Sequence, residues 1–317
     1  MYWAYWIPGR EKLTLKRLEK RTTGVYFLMP GKDSGKGKTM QRHIAVALLL
    51  MAVALLPNQA RASVFFTTGA PDGRLGAATQ PAGNGHTENE AGDDFILANP
   101  SLITSGGFTG LLPLGTPLSS IQQVVVEIYR VFPKDSVNPP DGMVPTRVNS
   151  PSDNAFDFRD SAAVGLTFTP VLLNGNFTVA NSIVNGINKS PNQTTGGEGA
   201  VSGEEVGFAV NFTVPFSLPA DHYFFVPQVL LSSGNFLWLS TARSAPIFTG
   251  DLQAWIRNTN LDPDWLRMGT DIVGGSPTFN MAFSIEGTDT PEPASLGLAG
   301  LGLVALIVAK GNLRRPR

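Results

Sequence analysis

The sequence predicts an all-β protein whose body, residues 63–289, folds as a single jelly-roll-like β-sandwich. Short runs rich in β-branched and aromatic residues recur along this body, separated by Gly, Pro, Asn and Asp. Several of these runs alternate apolar and polar residues with the period of two that is typical of strands. Outside one apolar segment near each end, no stretch of about 12 residues or more shows a helical period. These three observations favour strands joined by turns over any helical architecture.

The predicted strands follow one another along the body. The first begins at Asp93, and we interpret the Gly-rich stretch 70–92 before it as a mobile leader. The clearest alternation runs from Val206 to Val214, where every second residue is apolar and is expected to face a core. The other main predicted strands are Ile121–Phe132, Gly165–Pro170, Asn176–Ala180, His222–Leu231, Asn235–Ser240 and Thr278–Glu286. Two long polar segments, 139–160 and 190–205, are predicted to lie on the surface.

A secretory signal peptide is predicted at residues 40–62. Arg42 supplies its basic start, an apolar stretch covers 44–56, and Ala60 and Ala62 form the small-residue pattern of a cleavage site. The alternative is an uncleaved anchor, although this apolar stretch is shorter than the roughly 20 residues of a spanning helix. We therefore expect export, with cleavage after Ala62.

Residues 1–39 precede this complete signal peptide. We interpret them as a mis-assigned start that is either not translated or disordered. The codons for Gly35–Lys38 are necessarily purine-rich and lie where a ribosome-binding site for Met40 would stand, which favours translation from Met40.

The C-terminal residues 290–317 fall into three blocks. Pro291, Glu292 and Pro293 come first, an apolar run follows over 294–309, and Arg314 and Arg315 belong to a basic end. The apolar run would form about 24 Å of helix, which is shorter than the ~30 Å hydrocarbon core of a bilayer. Basic residues favour the cytoplasmic side and would leave the body outside, so a transmembrane helix is predicted at 294–309. The alternative is a buried terminal helix of a soluble domain, which the absence of an amphipathic period disfavours.

This three-part tail resembles the PEP-CTERM sorting signal of exported proteins in Gram-negative bacteria. The resemblance covers about 290–317 and implies recognition by an exosortase, an integral-membrane transpeptidase that cuts near Pro291-Glu292-Pro293 and passes the protein to the cell surface. It also implies an association with exopolysaccharide production. It implies nothing about the activity of the body, some segments of which also resemble PEP-CTERM passenger proteins without an assigned activity.

The charge of the body excludes some classes of partner. Residues 63–290 contain 9 Lys and Arg against 21 Asp and Glu, so their net charge is 9 − 21 = −12. Such an acidic body disfavours binding to nucleic acid or to anionic lipid. The chain contains no cysteine, which excludes a disulfide framework, a thiol nucleophile and a cysteine-ligated zinc site.

Two candidate sites stand out in the body. Asp153, Asp157 and Asp160 share one polar loop and offer the oxygen ligands that Ca²⁺ prefers, so calcium is a candidate cofactor; the alternative is that they cap turns. Trp255 and Trp265 lie among polar residues and are candidates for stacking on a sugar, with core packing as the alternative.

Together these observations predict a non-catalytic protein that is exported and sorted to the cell surface. We expect a structural or adhesive role in the envelope or exopolysaccharide matrix, with the secretion machinery, an exosortase and the membrane as partners, polysaccharide as a further candidate partner, and no catalytic residue. The alternatives are a carbohydrate-binding module of the matrix and, third, a secreted hydrolase. His86 and His222 are the only histidines of the body, and neither lies in the sequence context of a Ser-His-Asp site.

Overall fold

The computed structural model describes residues 63–140, 142–187, 194–242, 251–275 and 278–290, together with Gly300 and Gly302. The predicted signal peptide, residues 1–39 and nearly all of the C-terminal tail lie outside these residues. The described strands are β1 Ser63–Thr67, β2 Pro71–Ala78, β3 Asn89–Leu97, β4 Ser101–Pro113, β5 Ile121–Arg130, β6 Asp157–Asp160, β7 Leu166–Val179, β8 Asn181–Ile183, β9 Val201–Leu218, β10 Asp221–Leu231, β11 Leu237–Thr241, β12 Trp255–Asn258, β13 Leu266–Arg267, β14 Asn280–Met281 and β15 Phe283–Asp289. A 3₁₀ helix, Leu118–Ser120, precedes β5, and a π-helix, Met268–Val273, follows β13.

The strands form two sheets. The large sheet has the order β1-β15-β4-β11-β2-β8, with β9 also paired to β4, β7 to β9 and β14 to β11. The small sheet has the order β13-β12-β3-β10-β5-β6. All of these pairs are antiparallel except β2 with β8. The prediction of a mostly β protein with two sheets is confirmed, whereas the jelly-roll connection stays a prediction.

One core lies between the sheets and contains many aromatic rings. Phe225 of the small sheet stacks on Phe283 of the large sheet with ring centroids 5.1 Å apart. Trp238 is fully buried there and donates its indole N–H to the carbonyl of Ala282, as its apolar run predicts. Burying such rings supplies much of the apolar area that stabilises a β domain.

Strand β9 confirms the predicted alternation up to one irregularity. The first four apolar positions are buried, namely Val206, Phe208, Val210 and Phe212. Val214 is 59% exposed, so the prediction that it faces the core is wrong. The register between β4 and β9 shifts between the pairs Ile103–Phe216 and Ser105–Asn211. Between these two pairs, β9 therefore contains more residues than β4. Such a bulge turns the intervening side chains away from the core, and the period of two alone does not reveal it.

The stretch 70–92 is not a leader, so that prediction is wrong. It contains β2, which pairs with β11 and β8, and the first residues of β3. Leu75 and Ala77 are fully buried, and a Cβ added at Gly76 would lie 3.2 Å from Cβ of Leu237. The small residues that made this stretch look mobile allow close packing against β11.

The segment 139–160 is also not simply a surface loop. Its residues Arg147, Ser150, Ser152 and Asp153 are buried. Together with the preceding residues it runs across the outer face of the small sheet, where Val131 pairs with Pro151. The segment 131–156, called the cover below, therefore encloses a second buried region.

Candidate functional site

The outer face of the small sheet carries a buried polar cluster. Side chains alternate along β3, β5, β10 and β12, so half of them face away from the main core. On that face a second, aromatic cluster forms under the cover and the turn 259–265: its buried members are Tyr129, Phe224, Val226, Trp255 and Trp265. The burial of this face explains why charged residues of β3 and β12 are shielded from water.

Arg257 is the centre of the polar cluster. Its guanidinium is buried and binds Glu90 through Nε and Nη2, the latter at 3.0 Å. Nη2 also donates to the hydroxyl of Tyr129 at 2.9 Å, and Nη1 pairs with Asp262 at 2.8 Å. The guanidinium carbon lies 4.5 Å from the ring centroid of Trp265. Arg257 thus joins β12 to β3, to β5 and to the turn after β12.

The Tyr129 hydroxyl connects two carboxyl groups. It lies 2.5 Å from Oε1 of Glu90 and 2.9 Å from Oε2 of Glu127. A hydroxyl has one proton, so it can donate to only one of these groups. Burial, and secondarily the charge of Glu90, raise the pKa of Glu127 to about 8. A protonated Glu127 can therefore donate the second hydrogen bond at neutral pH.

A second buried ion group lies beside the first. Arg147 of the cover is 2.7 Å from Oδ1 of Asp153 and 3.1 Å from Oδ1 of Asp264, and all three side chains are buried. Its guanidinium carbon lies 4.4 Å from the ring centroid of Phe132. Oδ2 of Asp153 accepts the backbone N–H groups of Val137 and Asn138. Arg147 fixes the cover to the turn that carries Asp264.

The three aspartates of the predicted calcium site have different partners. Asp153 binds Arg147, Asp157 binds Arg159 at 2.6 Å, and Asp160 accepts hydrogen bonds from Gln123 at 3.0 Å. Among the described residues, no group of three His, Asp or Glu side chains is placed to share a metal ion. The calcium site therefore stays a prediction. In the described structure its three aspartates bind different partners and do not surround a common position.

The two tryptophans predicted for sugar stacking are buried. Trp255 is 1% exposed and Trp265 is fully buried. Trp265 donates its indole N–H to the carbonyl of Ser152 and stacks with Arg257. Neither ring offers an open face to a sugar as the structure stands, so stacking would require the cover to move.

A cleft lined by both polar and apolar groups nevertheless lies beside Trp255. Its volume is about 340 Å³. Its lining residues are Thr146, Val148, Asn149, Asp251, Leu252, Gln253, Trp255, Arg267 and Thr278. The indole N–H of Trp255 is buried and has no hydrogen-bond acceptor among the described residues. An unpaired buried donor costs about 1–3 kcal/mol.

Buried carboxyl groups also occur at β3. Asp93 lies inside the main core and accepts the N–H of Met281 at 2.7 Å, while burial and the adjacent Asp94 raise its pKa well above the ordinary value. Asp94 is also buried, on the outer face of the small sheet, and lies 2.6 Å from Nε2 of His222. His222 is thus one half of an Asp–His pair, whereas His86 lies in a turn closed by Gly83.

Sequence reasoning missed Glu90, Glu127, Arg147 and Arg257. Of these, Glu127 carried a local signal, because it is the one carboxylate in the strand IQQVVVEIYR and directly follows three valines. The other three are recognisable only when the cover and β12 are placed on β3. Arg257 and Glu90 lie 167 residues apart along the chain, and Arg147 contacts Pro263 from 116 residues away.

The last strand leads directly into the tail. β15 ends at Asp289, and Thr290 donates its backbone N–H to the carbonyl of Pro100 at 2.8 Å. The predicted sorting residues Pro291, Glu292, Pro293, Arg314 and Arg315 lie outside the described residues, as do Ala60 and Ala62 of the predicted cleavage site. Within the described part of the chain, no helix is both long and apolar enough to cross a membrane.

Comparison with known families supplies the identity of the tail. Residues 289–315 match the family model of the PEP-CTERM protein-sorting motif. Searches of curated proteins and of solved structures find no match to the chain. The matched motif begins at the last residue of β15, where the three-block tail was identified from the sequence. The chain is a PEP-CTERM sorting domain-containing protein.

Proposed function

We propose that this protein is exported through a signal peptide at 40–62, sorted to the cell surface by an exosortase, and serves there as a non-catalytic structural or adhesive component of the envelope or exopolysaccharide matrix. The sorting motif at 289–315 is the observation that carries the proposal. It implies exosortase processing of a membrane-anchored intermediate.

The burial of the ionisable clusters supports a non-catalytic body. Groups with perturbed pKa values are often catalytic when they line a cleft. Here Glu90 and Arg257 are buried under the cover, and their hydrogen bonds are made to neighbouring protein groups. The same contacts tie four segments together, which suits a role in holding the fold.

The proposal is tested by the intact mass of the protein from fractions of its native host. We expect a surface or medium species that begins at Ser63 and ends near Pro293. A membrane species that retains Arg317 would show that the tail is a plain anchor and would contradict exosortase processing. A species beginning at Met1 would contradict translation from Met40.

Carbohydrate binding is the second candidate, and the cleft beside Trp255 favours it. Asn149, Gln253 and Arg267 line this cleft and offer the planar amide and guanidinium groups that hydrogen-bond to sugar hydroxyls. The test is titration of matrix polysaccharides while tryptophan fluorescence is recorded. We expect a saturable change that Asn149→Ala weakens and that Thr167→Ala, on β7 outside the cleft lining, leaves intact. An unchanged spectrum with every polysaccharide would contradict this candidate.

A further inference from the structure

The start of the sorting motif is fixed to the folded body. Asp289 accepts a hydrogen bond from Nδ2 of Asn99 at 3.2 Å, and its Oδ1 lies 3.1 Å from Oγ of Ser101, a hydroxyl shared with the carbonyl of Asn99. Thr290 donates both its N–H and its hydroxyl to the carbonyl of Pro100, at 2.8 Å and 2.9 Å. The first two residues of the matched motif therefore belong to the sandwich, and no linker separates the body from Pro291.

These contacts define one end of the sandwich, which we call the tail-proximal end. It consists of the turn 98–101, the turn 218–221 and the first residue of β1. Ser101 pairs with Leu218, and Asp221 pairs with Leu97. Ser63 pairs with Gly287, so the first described residue of the body lies at the same end as the last residues.

The tether between this end and the membrane is short. The apolar run of the tail begins at Ala294, four residues after the fixed Thr290. Four fully extended residues span at most about 14 Å. While the tail is held in the membrane, the tail-proximal end must stay within about that distance of the apolar segment. The opposite end, around Leu114, lies a full strand length away, because β4 covers 13 residues and about 40 Å.

The tail-proximal end carries charges of both signs. The body as a whole is strongly acidic and would be repelled by anionic headgroups. At this end Asp221 pairs with Lys134 at 2.6 Å and with Arg130 at 3.8 Å, and Arg130 also lies 3.6 Å from Asp135. Asp289 binds the uncharged Asn99 and Ser101, so the two cations offset only part of the negative charge there.

We propose that the tail-proximal end is the surface of the body that docks against the exosortase. The inference rests on the proposed function, because it requires that an exosortase processes the tail. Its physical basis is that a substrate segment joined to a rigid body without a linker can reach an enzyme only with the adjoining surface facing that enzyme.

The test is site-specific photo-crosslinking of the full chain in cells that contain exosortase. A crosslinking amino acid replaces the exposed Ala98 at the tail-proximal end or, as the matched control, the exposed Leu114 at the opposite end. We expect crosslinks to exosortase from position 98 to exceed those from position 114 several-fold. Inserting a flexible Gly/Ser spacer of about 20 residues between Thr290 and Pro291, with an end-to-end distance of about 25 Å, should remove that difference.

The outcomes separate the inference from the proposed function. Equal crosslinking from positions 98 and 114, with normal removal of the tail by intact mass, would overturn the docking surface and leave exosortase processing in place. A difference that persists with the spacer would also overturn it, because the short tether would then not be the cause. A tail that is retained, without crosslinks from either position, would overturn the proposed function and the inference together.

Discussion

At the scale of residues, this protein has buried charges that are compensated by one another. Arg257 faces Glu90, and Arg147 faces Asp153 and Asp264. Burying such groups costs several kcal/mol per ion, which partner charges and hydrogen bonds must offset. Where carboxylates outnumber the arginines, a proton replaces the missing cation, as the raised pKa of Glu127 shows.

The raised pKa of Glu127 predicts a pH-dependent stability. The folded state holds this proton up to a pH of about 8, whereas the unfolded chain releases it near 4.5, the ordinary pKa of a glutamate. The stabilising contribution is therefore complete below pH 4.5 and is lost as the pH rises through about 8. Between pH 4.5 and about 8, the free energy of unfolding in urea should fall less for Glu127→Gln than for the wild type, by roughly 2–4 kcal/mol.

Glu204→Gln, a change near the opposite end of the sandwich, is the control for Glu127→Gln. It should follow the wild-type curve. Part of the decline should persist in both variants, because burial also raises the pKa values of Asp93 and Glu88. A Glu127→Gln curve that is parallel to the wild type would show that Glu127 is ionised in the folded protein.

Removing Arg147 should be costly, because it leaves Asp153 and Asp264 without their cation. We expect Arg147→Ala to lower the free energy of unfolding by about 3–5 kcal/mol. Lys134→Ala is the matched control: Lys134 also pairs with an aspartate, but its side chain is 53% exposed, so a loss of about 0–1 kcal/mol is expected. Equal losses in chemical denaturation would mean that the Arg147 group is solvated rather than buried.

At the scale of elements, strand β7 is a long, exposed edge of the large sheet. It pairs only with β9 among the described strands. Its sequence, LTFTPVLLNGNFTV, contains no charged residue, and Val171, Leu172 and Leu173 are 52%, 49% and 56% exposed. Exposed edge strands without charges are prone to pair with other chains.

A charge placed on β7 should therefore reduce self-association. Leu172→Lys removes an exposed apolar side chain and adds a charge that disfavours strand pairing. We therefore expect a smaller weight-average mass in sedimentation equilibrium at high protein concentration. Thr167→Lys adds the same charge on the same strand without removing apolar surface, and its effect should be smaller. An identical concentration dependence for wild type and Leu172→Lys would show that β7 does not mediate association.

At the scale of the whole molecule, the chain enters and leaves the sandwich through neighbouring strands. β1 pairs with β15, which in turn pairs with β4. The first and last described strands of the body therefore lie side by side at one edge of the large sheet. The core rings of both sheets come from residues within 63–290. The described core thus lies within residues 63–290, between the predicted signal peptide and the sorting motif.

Residues 63–290 alone should therefore form a stable domain. We expect this fragment to show a β-type circular dichroism spectrum and one cooperative thermal transition, whose midpoint matches that of the processed protein. A fragment that lacks β1, residues 68–290, should melt several degrees lower, because β15 loses its outer partner and Phe66 no longer packs 5.1 Å from Phe283. A broad transition without cooperativity in the longer fragment would show that the flanking segments are needed for folding.

The sequence by itself determined the sorting tail and the β class. The tail is a linear signal, in which adjacent residues carry the whole pattern, so the match at 289–315 agrees with the three blocks identified beforehand. Strands such as β5 and β10 are also predicted nearly to the residue, because a run of β-branched and aromatic residues is a local property. Glycine-rich β2 was missed for the same reason: small residues carry no local sign of burial.

The tertiary structure alone decided which polar residues are buried and with whom. Asp153 was predicted as a calcium ligand from its neighbours in the chain, yet its cation is Arg147, and Asp264 joins them from a distant turn. Trp265 was a candidate for sugar stacking, yet it packs against Arg257 under the cover. The free energies of these contacts depend on burial, and burial depends on long-range packing of the cover on the small sheet, which no local pattern contains.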